Sequence, residues 1–452
     1  MRLACALQIG DTRIRWRGAL TRICVAGALA MAGCADPAML SIEQGSGEHP
    51  VLPAPSQTLL PTVNIAPAKG WPMGATPAAA AGTLVAVFAA GLDHPRWLFV
   101  LPNGDVLVAE TSAPPKPGGA QGIRAWVMGW VMKRAGADVP SANRITLLRD
   151  TDGDGVVRTR SVMLSGLNSP FGMALIGDRL FVADTDAVLS FPYRTGDTVI
   201  TAPATKLLDL AAGPINHHWT KNLLASADGS KLYVSVGSNS NVAESGMAVE
   251  AGRAAIWEID VKSGAHRIYA SGLRNPVGMA WNDAGTMLWT AVNERDEIGS
   301  DLVPDYLTSV RDGAFYGWPY CYYGQHVDTR APPAEPALVA TAIVPDYALG
   351  PHTASLGLVS SAGGRLPAPF VGGMFVGQHG SWNRKPRSGY KVVFVPFRDG
   401  RPAGLPLDVL GGFLDDSGDA LGRPVGVAID KQGALLVADD VGNTVWRVTA
   451  QP

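Results

Sequence analysis

Two adjacent histidines, His217 and His218, stand in the run Pro214-Ile215-Asn216-His217-His218-Trp219-Thr220-Lys221-Asn222-Leu223, just ahead of an apolar, strand-like stretch. A free imidazole titrates near pH 6.5, at about the edge of neutrality, so a histidine held in a loop above a cleft can act as a general base. The residues alone leave a second reading equally open, a structural pair bonded to loop carbonyls. A second run, Gly272-Leu273-Arg274-Asn275-Pro276-Val277-Gly278-Met279-Ala280, sets a guanidinium fork beside a carboxamide. Such a pair suits an acid-bearing ligand. Standing alone it reads as a turn before a strand with a surface arginine. A third run, Asp150-Thr151-Asp152-Gly153-Asp154-Gly155, has the first half of a calcium-binding EF-hand loop, but its twelfth position is Ser161, not the bidentate glutamate. An Asp-rich hairpin turn fits it better than a structural calcium site.

The elements that position these residues repeat. From Gly82 onward a unit recurs: Gly-Leu or Gly-Arg, a Pro, a short apolar strand, a Gly or Asp turn, and a second apolar strand. It is read from Gly91-Leu92-Asp93-His94-Pro95, from Gly166-Leu167-Asn168-Ser169-Pro170, from His218-Trp219, from Gly272-Leu273-Arg274-Asn275-Pro276, from Ser355-Leu356-Gly357-Leu358 and from Gly422-Arg423-Pro424-Val425-Gly426. Six copies at roughly 60 residues each suit four-stranded blades with functional loops. The expected fold is all-β, a six-bladed β-propeller. Val85-Ala86-Val87-Phe88 and Thr444-Val445-Trp446-Arg447-Val448 are both strand-like, so the N- and C-terminal strands are expected to pair and close the ring.

Composition agrees, with 53 glycines, 34 prolines and charged residues at only 17% of the chain. With 37 basic against 39 acidic side chains there is no basic field to gather a nucleic acid. Residues 1–33 carry early arginines and an apolar run ending at Met31-Ala32-Gly33-Cys34. That core is too short to span a bilayer of about 30 Å and reads as an export signal. Small residues leading into Cys34 resemble a lipobox, with Met31 in the place of the usual leucine. The expectation is an exported protein on the periplasmic or outer face of the envelope, held to the membrane only by lipid on Cys34. Residues 34–81 are Pro- and Ala-rich and read as an extended tether, or as an arm packed on the domain of residues 82–452. Cys321 alone remains in the folded body, so no intramolecular disulfide is expected, and no Cys-x-x-Cys-His haem motif occurs.

His218 followed by Leu223, Asp228-Gly229 and Lys231-Leu232-Tyr233 resembles the catalytic segment of the PQQ-dependent soluble glucose dehydrogenases. Leu273-Arg274-Asn275-Pro276 resembles the segment whose arginine and asparagine hold the quinone. The phrases His218-Trp219-Thr220, His379-Gly380-Ser381-Trp382-Asn383-Arg384 and Gly317-Trp318-Pro319 resemble the sorbosone-dehydrogenase-like branch more closely. The resemblance implies calcium- and PQQ-dependent oxidation of an aldose or sorbosone-like sugar, with electrons passed on to an external cytochrome or quinone. It makes His218 the base, and Arg274, Asn275, Arg384 and Arg423 the cofactor grip. Val425 stands where the family has a further arginine, and Asp296-Glu297 where it has a Gly-Pro pair in the metal loop, so those two carboxylates are the implied calcium ligands. Aromatic residues gather around the motifs, among them Trp126, Trp130, Trp318 and Tyr320; Trp219 and Trp382, inside the motifs, are the ones expected to face a sugar. Two alternatives stay open: a calcium-dependent lactonase-type propeller and a non-catalytic binding propeller.

Overall fold

The computed structural model describes residues 36–58, 62–115, 129, 132–333 and 335–452. The export segment 1–33, Cys34, Trp126 and Trp130 lie outside the described residues. Each repeat opens one four-stranded antiparallel sheet, and six such sheets form a propeller. Blade one holds Pro95–Val100, Val106–Glu110, Arg144–Arg149 and Thr159–Ser165; blade two holds Met173–Ile176, Arg179–Ala183, Ala187–Pro192 and Thr205–Asp209. Blade three holds Leu223–Ala225, Lys231–Val236, Ala255–Asp260 and His266–Ser271; blade four holds Pro276–Trp281, Leu288–Val292, Pro304–Ser309 and Tyr347–Pro351. Blade five holds Ser355–Ser360, Gly373–Gln378, Lys391–Arg398 and Leu407–Gly411. Blade six takes Pro424–Ile429, Leu435–Asp439 and Thr444–Ala450 from the end of the chain and Thr83–Ala90 from its beginning. Val448 lies opposite Val85, Arg447 opposite Ala86 and Trp446 opposite Val87, so the ring closes as the sequence leads one to expect.

The first strand of every blade is innermost, touching the first strands of the blades on either side. Aligned by the repeat, the third residue of these segments is Gly172, Gly278, Gly357 or Gly426 in four blades. A Cβ on Gly172 would lie 2.2 Å from the Leu223 backbone nitrogen, and one on Gly357 2.1 Å from the Val425 carbonyl oxygen. On Gly278 it would lie 2.6 Å from the Leu356 carbonyl oxygen, and on Gly426 2.7 Å from that of Arg96. Each glycine thus permits backbone to meet backbone between blades. Blades one and three carry Trp97 and Asn222 there and bridge with side chains: Trp97 packs on Phe171 with ring centroids 4.7 Å apart, and Asn222 Nδ2 donates to the Val277 carbonyl at 2.9 Å. One residue earlier, Phe171, Val277, Leu356 and Val425 share a single buried cluster. Residues from four different blades meet this way only at the axis. Arg96 and Lys221 occupy the same repeat position in the other two blades.

The carboxylate that ends the second strand of three blades ties down the turn before the first strand. Asp93 N–H donates to Glu110, Asn168 N–H to Asp184 at 2.8 Å and Arg423 N–H to Asp439 at 2.7 Å. This is why Val108-Ala109-Glu110, Val182-Ala183-Asp184 and Val437-Ala438-Asp439 read alike. The Asp150–Gly155 loop is stabilised from within: Arg158 Nη2 stands 2.6 Å from Asp154 and 3.2 Å from Asp152, and its Nη1 3.6 Å from Asp150. A guanidinium thus neutralises the carboxylates that a calcium ion would otherwise gather.

The Pro- and Ala-rich segment lies along the propeller. Ser46–Gly47 pairs with Leu349 and Ala348 of blade four, Ala78–Ala79 pairs with Gly411 and Leu410 of blade five, and Ala66 is fully buried. Over the described residues it is therefore a packed arm and not a free tether. Among the described residues no helix is long and apolar enough to cross a membrane.

Trp446 locks the closing strand: it is 2% exposed, donates from Nε1 to Asp439 Oδ2 at 3.0 Å and packs edge-on against Trp71 of the arm. Trp446→Ala is expected to lower the unfolding free energy by about 3–5 kcal/mol in chemical denaturation, the usual cost of emptying a large aromatic site. A loss under about 1 kcal/mol would show that the joint does not hold the ring.

Candidate active site

The His218 loop leads into the shortest innermost strand, Leu223–Ala225, and stands where the ring is bridged by side chains. His218 Nδ1 lies 2.8 Å from the Ser238 carbonyl and 3.0 Å from the Ser238 hydroxyl, and that hydroxyl donates to the Ser240 carbonyl at 2.7 Å. A carbonyl only accepts, so Nδ1 carries the proton and Nε2 presents a lone pair. Burial, reinforced by the positive charge of Arg274, pushes His218 well below the ordinary histidine range. It is therefore neutral at pH 7 and able to accept a proton. The neighbouring His217 is exposed.

Behind the loop sit two buried cations. Lys221 is fully buried and donates from Nζ to the carbonyls of His218 at 3.3 Å and Trp219 at 3.1 Å. Arg253 donates to the Gly237 carbonyl at 3.2 Å and to Asn216 Oδ1 at 2.8 Å, fixing the start of the same loop. Desolvation lowers the pKa of both. The loop also presses on Gly237, where a Cβ would fall 2.3 Å from Asn275 Oδ1 and 2.6 Å from His218 Cβ. Only glycine lets the histidine and the asparagine stand this close. Asn275 is 6% exposed, and its Oδ1 has no hydrogen-bond partner.

Arg274 is the hub of the neighbouring loops. At 2% exposed, it donates from Nη1 to the Glu294 carbonyl at 2.6 Å and from Nη2 to Asn241 Oδ1 at 3.0 Å and Asp296 Oδ2 at 3.2 Å. The other oxygen of Asp296 accepts from Asn383 Nδ2 at 2.8 Å and lies 3.3 Å from His352 Nδ1. Although burial opposes it, His352, Arg274 and Asn383 together hold Asp296 below the usual carboxylate range. Asn241 completes the knot by accepting the Asp296 N–H at 2.9 Å.

A second cluster faces this one across the apolar axis. Asp440 accepts from Arg96 Nη1 at 2.6 Å and pairs with His379 Nε2 at 2.9 Å, while the Arg96 guanidinium lies 5.9 Å from the Trp219 ring centroid. Trp219 is half-buried and meets Phe171 edge-on at 6.0 Å. It thereby links the His218 loop to the second cluster. Asp440 Oδ1 and Arg96 Nε are buried with no hydrogen-bond partner.

His218, Trp219, Arg274, Asn275 and Asp296 are thus joined by direct contacts and short chains of them. Arg384 and Arg423 reach the arm with one end of the guanidinium: Arg384 Nη2 donates to the arm's Leu40 carbonyl at 3.0 Å and to Asp301 at 3.1 Å, and Arg423 Nη2 donates to the arm's Ala66 carbonyl at 2.8 Å, while the Nε of each is buried with no hydrogen-bond partner. Trp382 is half-buried, and its carbonyl accepts from Asn64 of the arm at 2.7 Å. Glu297 does not join Asp296; it lines a small hollow with Asp36, Ser56, Thr58, Thr62, Gly299 and Asn383. Among the described residues no three His, Cys, Asp or Glu side chains are grouped to hold a metal ion. Ser238, Asn241, Asn383, Arg96 and Asp440 join the site without having been singled out in the sequence. Asn383 lies inside the His-Gly-Ser-Trp-Asn-Arg phrase, one residue from the arginine chosen, and Arg96 could have been found by aligning the repeats, where a cation replaces an apolar axis residue.

The family model described as TrAA12-like matches residues 141–335 and 339–451. A pyrroloquinoline quinone-dependent pyranose dehydrogenase of Coprinopsis cinerea is 27% identical over 290 residues, covering 54% of this chain and 39% of that protein. An uncharacterized protein of Borreliella burgdorferi is 29% identical over 240 residues, covering 51% of this chain and 60% of that one. The chain therefore spans well under two thirds of the length of these curated relatives. The calcium structure of a Trichoderma reesei family AA12 carbohydrate-active enzyme aligns over 86% of this chain and 99% of its own, with a TM-score of 0.66 at 18% identity. That likeness is one of fold.

The His218 imidazole is expected to stay neutral, protonated on Nδ1, from pH 7 to below 6.5, as read by two-bond ¹H–¹⁵N correlation of histidine side chains. In Gly237→Ala, where the added Cβ would push His218 out of its buried seat and relieve the desolvation that dominates its shift, its pKa is expected to move back toward 6.5. A parental His218 that titrates at or above 6.5 would contradict the burial and charge assigned to it.

Proposed function

The chain belongs to the TrAA12-like family, and from that premise we propose that it is a PQQ-dependent sugar dehydrogenase with His218 as the base. The Coprinopsis relative acts on a pyranose with this quinone, and the described residues fit such a group. PQQ bears three carboxylates and an ortho-quinone. A buried recess where guanidinium groups carry unpartnered N–H atoms beside unpartnered polar oxygens suits an acidic, polar ligand better than it suits empty burial. Arg96 Nε and Asn275 Oδ1 are such atoms, the first on a guanidinium 5.9 Å from the Trp219 ring centroid and the second on a side chain that crowds Gly237 together with His218. Arg96, Arg274 and Asn275 would hold the group, Arg274 chiefly by the positive field it brings to the loop.

PQQ, when bound, supplies an acceptor for the two electrons and hydrogen that leave a sugar carbon. The chain does the rest. His218 Nε2 takes the proton of the sugar hydroxyl, with Ser238 holding the Nδ1 proton so that the lone pair points the other way. Lys221 and Arg253 fix the loop backbone, while burial, chiefly, and the charge of Arg274 keep the imidazole uncharged until it reacts. The half-buried Trp219 offers an aromatic face to a pyranose ring. The observation that carries the reading is the His218 imidazole anchored through Nδ1 on Ser238, at 2.8 Å from its carbonyl, beside a buried Asn275 that only a glycine at position 237 lets stand so close.

Calcium belongs to the proposal because the Trichoderma structure is a calcium structure of the fold. Asp296 already accepts from Arg274 and Asn383 and lies against His352, and Glu297 faces another hollow, so this pair does not make a calcium cage and no step runs through the ion. The sugar, the external electron acceptor and lipid anchoring through Cys34 are likewise proposals, the last resting on the run from Ile23 to Cys34.

After reconstitution with PQQ and calcium, aldoses are expected to drive reduction of an artificial electron acceptor. His218→Ala should cut kcat on the order of 10²- to 10⁴-fold. Because neutral His218 is the active form and its pKa lies below 6.5, kcat/KM should hold level from pH 7 down through 6.5 and fall only in more acid solution. Parental turnover in His218→Ala, or an acid limb centred above 6.5, would overturn the assignment.

A further inference from the structure

We propose that the N-terminal arm is a wall of the active site, and that Arg384 and Arg423 are positioning residues that clamp it against the loop carrying Asn383. The inference rests on the proposed dehydrogenase reading only for its cofactor readout.

The clamp is a closed circuit of hydrogen bonds. Arg384, 1% exposed, donates from Nη2 to the Leu40 carbonyl at 3.0 Å and to Asp301 Oδ1 at 3.1 Å. The other oxygen of Asp301 accepts the N–H groups of Met39 at 2.6 Å and Leu40 at 3.1 Å. The arm thus gives two donors and one acceptor to a buried ion pair that would otherwise be short of partners. Further along, the Asn64 N–H donates to the Trp382 carbonyl at 2.7 Å and Asn64 Nδ2 to the Arg384 carbonyl at 2.9 Å. Arg423 donates to the Ala66 carbonyl at 2.8 Å while its guanidinium lies 5.1 Å from the Tyr390 ring centroid.

Between these anchors lies Asn383, whose Nδ2 reaches Asp296 at 2.8 Å, and Asp296 in turn holds Arg274 at 3.2 Å. The path from the arm to the His218 side of the mouth therefore runs through Arg384, the backbone of residues 382–384, Asn383, Asp296 and Arg274. Every arm group in this path except the Asn64 side chain is backbone. The two arginines that sequence motifs would give to a cofactor commit their Nη2 donors to main-chain carbonyls of the arm, and the Nε of each stays without a partner.

The test compares the parent with Arg384→Gln, Arg384→Lys, Arg423→Gln and Asp301→Asn. Amide hydrogen exchange on the cofactor-free chain, followed at Met39, Leu40 and Asn64, is paired with calorimetric titration of each variant with PQQ. Exchange at Met39 and Leu40 should quicken by about tenfold or more in Arg384→Gln and in Asp301→Asn, with partial recovery in Arg384→Lys. Asn64 should quicken in Arg423→Gln. Asp301→Asn keeps both arginines, yet it should weaken PQQ binding about as much as Arg384→Gln, since both act through the arm. Unchanged arm exchange in Arg384→Gln and Asp301→Asn overturns the proposal. So does a loss of PQQ affinity in Arg384→Gln that Asp301→Asn does not share, which would make Arg384 a direct ligand. If the parent binds no PQQ, the dehydrogenase reading fails while the exchange data still decide whether the clamp exists.

Discussion

Neighbouring blades approach so closely at the axis that backbone touches backbone, and this contact exists only where the innermost strand carries glycine. Four blades meet the condition through Gly172, Gly278, Gly357 and Gly426, each with no room for a Cβ. The two blades that lack the glycine use Trp97 and Asn222 as spacers, and the same two blades carry Arg96 and Lys221 at the axis-facing position. The ring is therefore closed backbone to backbone at four of its joints and bridged by side chains at two, between blades one and two and between blades three and four, with the Gly172 contact between those two. The His218 loop and Trp219 lie beside these two bridged joints. The chemistry sits where the repeat departs from its own rule, as expected when a site is built on a scaffold whose stability is supplied elsewhere.

The electrostatics follow from that geometry. The His218 loop is buried against Arg274 and Arg253, so protonation of the imidazole is disfavoured by desolvation first and then by like charge. The mouth also concentrates polar atoms without partners, among them Arg96 Nε, Asn275 Oδ1, Asn383 Oδ1 and Asp440 Oδ1. Buried polar groups are costly when unpaired, and a cluster of them around one recess points to a ligand that completes them. By contrast, the Asp150–Gly155 loop is satisfied internally by Arg158. It resembles a metal loop in sequence and carries its own cation.

The blades were legible because most copies share the same physical devices: a turn and a proline at the strand start in four, a glycine for close approach in four and a carboxylate to fasten the turn in three. Glu110, Asp184 and Asp439 are those carboxylates, and the closing partners Val85 and Val448 were legible as strands. His218, Arg274 and Asn275 were legible because their phrases are distinctive. Arg384 and Arg423 were legible only as the cofactor grip the resemblance implies, and not in what their Nη2 groups face, the carbonyls of Leu40 and Ala66. A main-chain acceptor leaves no mark in side-chain composition. For the same reason the Pro- and Ala-rich arm could be read as tether or wall: it pairs by backbone, as at Ser46–Gly47 and Ala78–Ala79, and lacks apolar alternation. Asp296 and Glu297 are adjacent in sequence but diverge in space, one toward Arg274 and the other toward the arm.

The account stands on a recess that takes an acidic quinone beside a neutral histidine. Its most direct test is isothermal titration of the chain with PQQ, with calcium and with a chelator in its place. The account predicts saturable binding close to one PQQ per chain, strengthened by calcium and accompanied by a change in the His218 side-chain resonances. Absence of binding under both conditions, or binding that leaves those resonances unmoved, would contradict it.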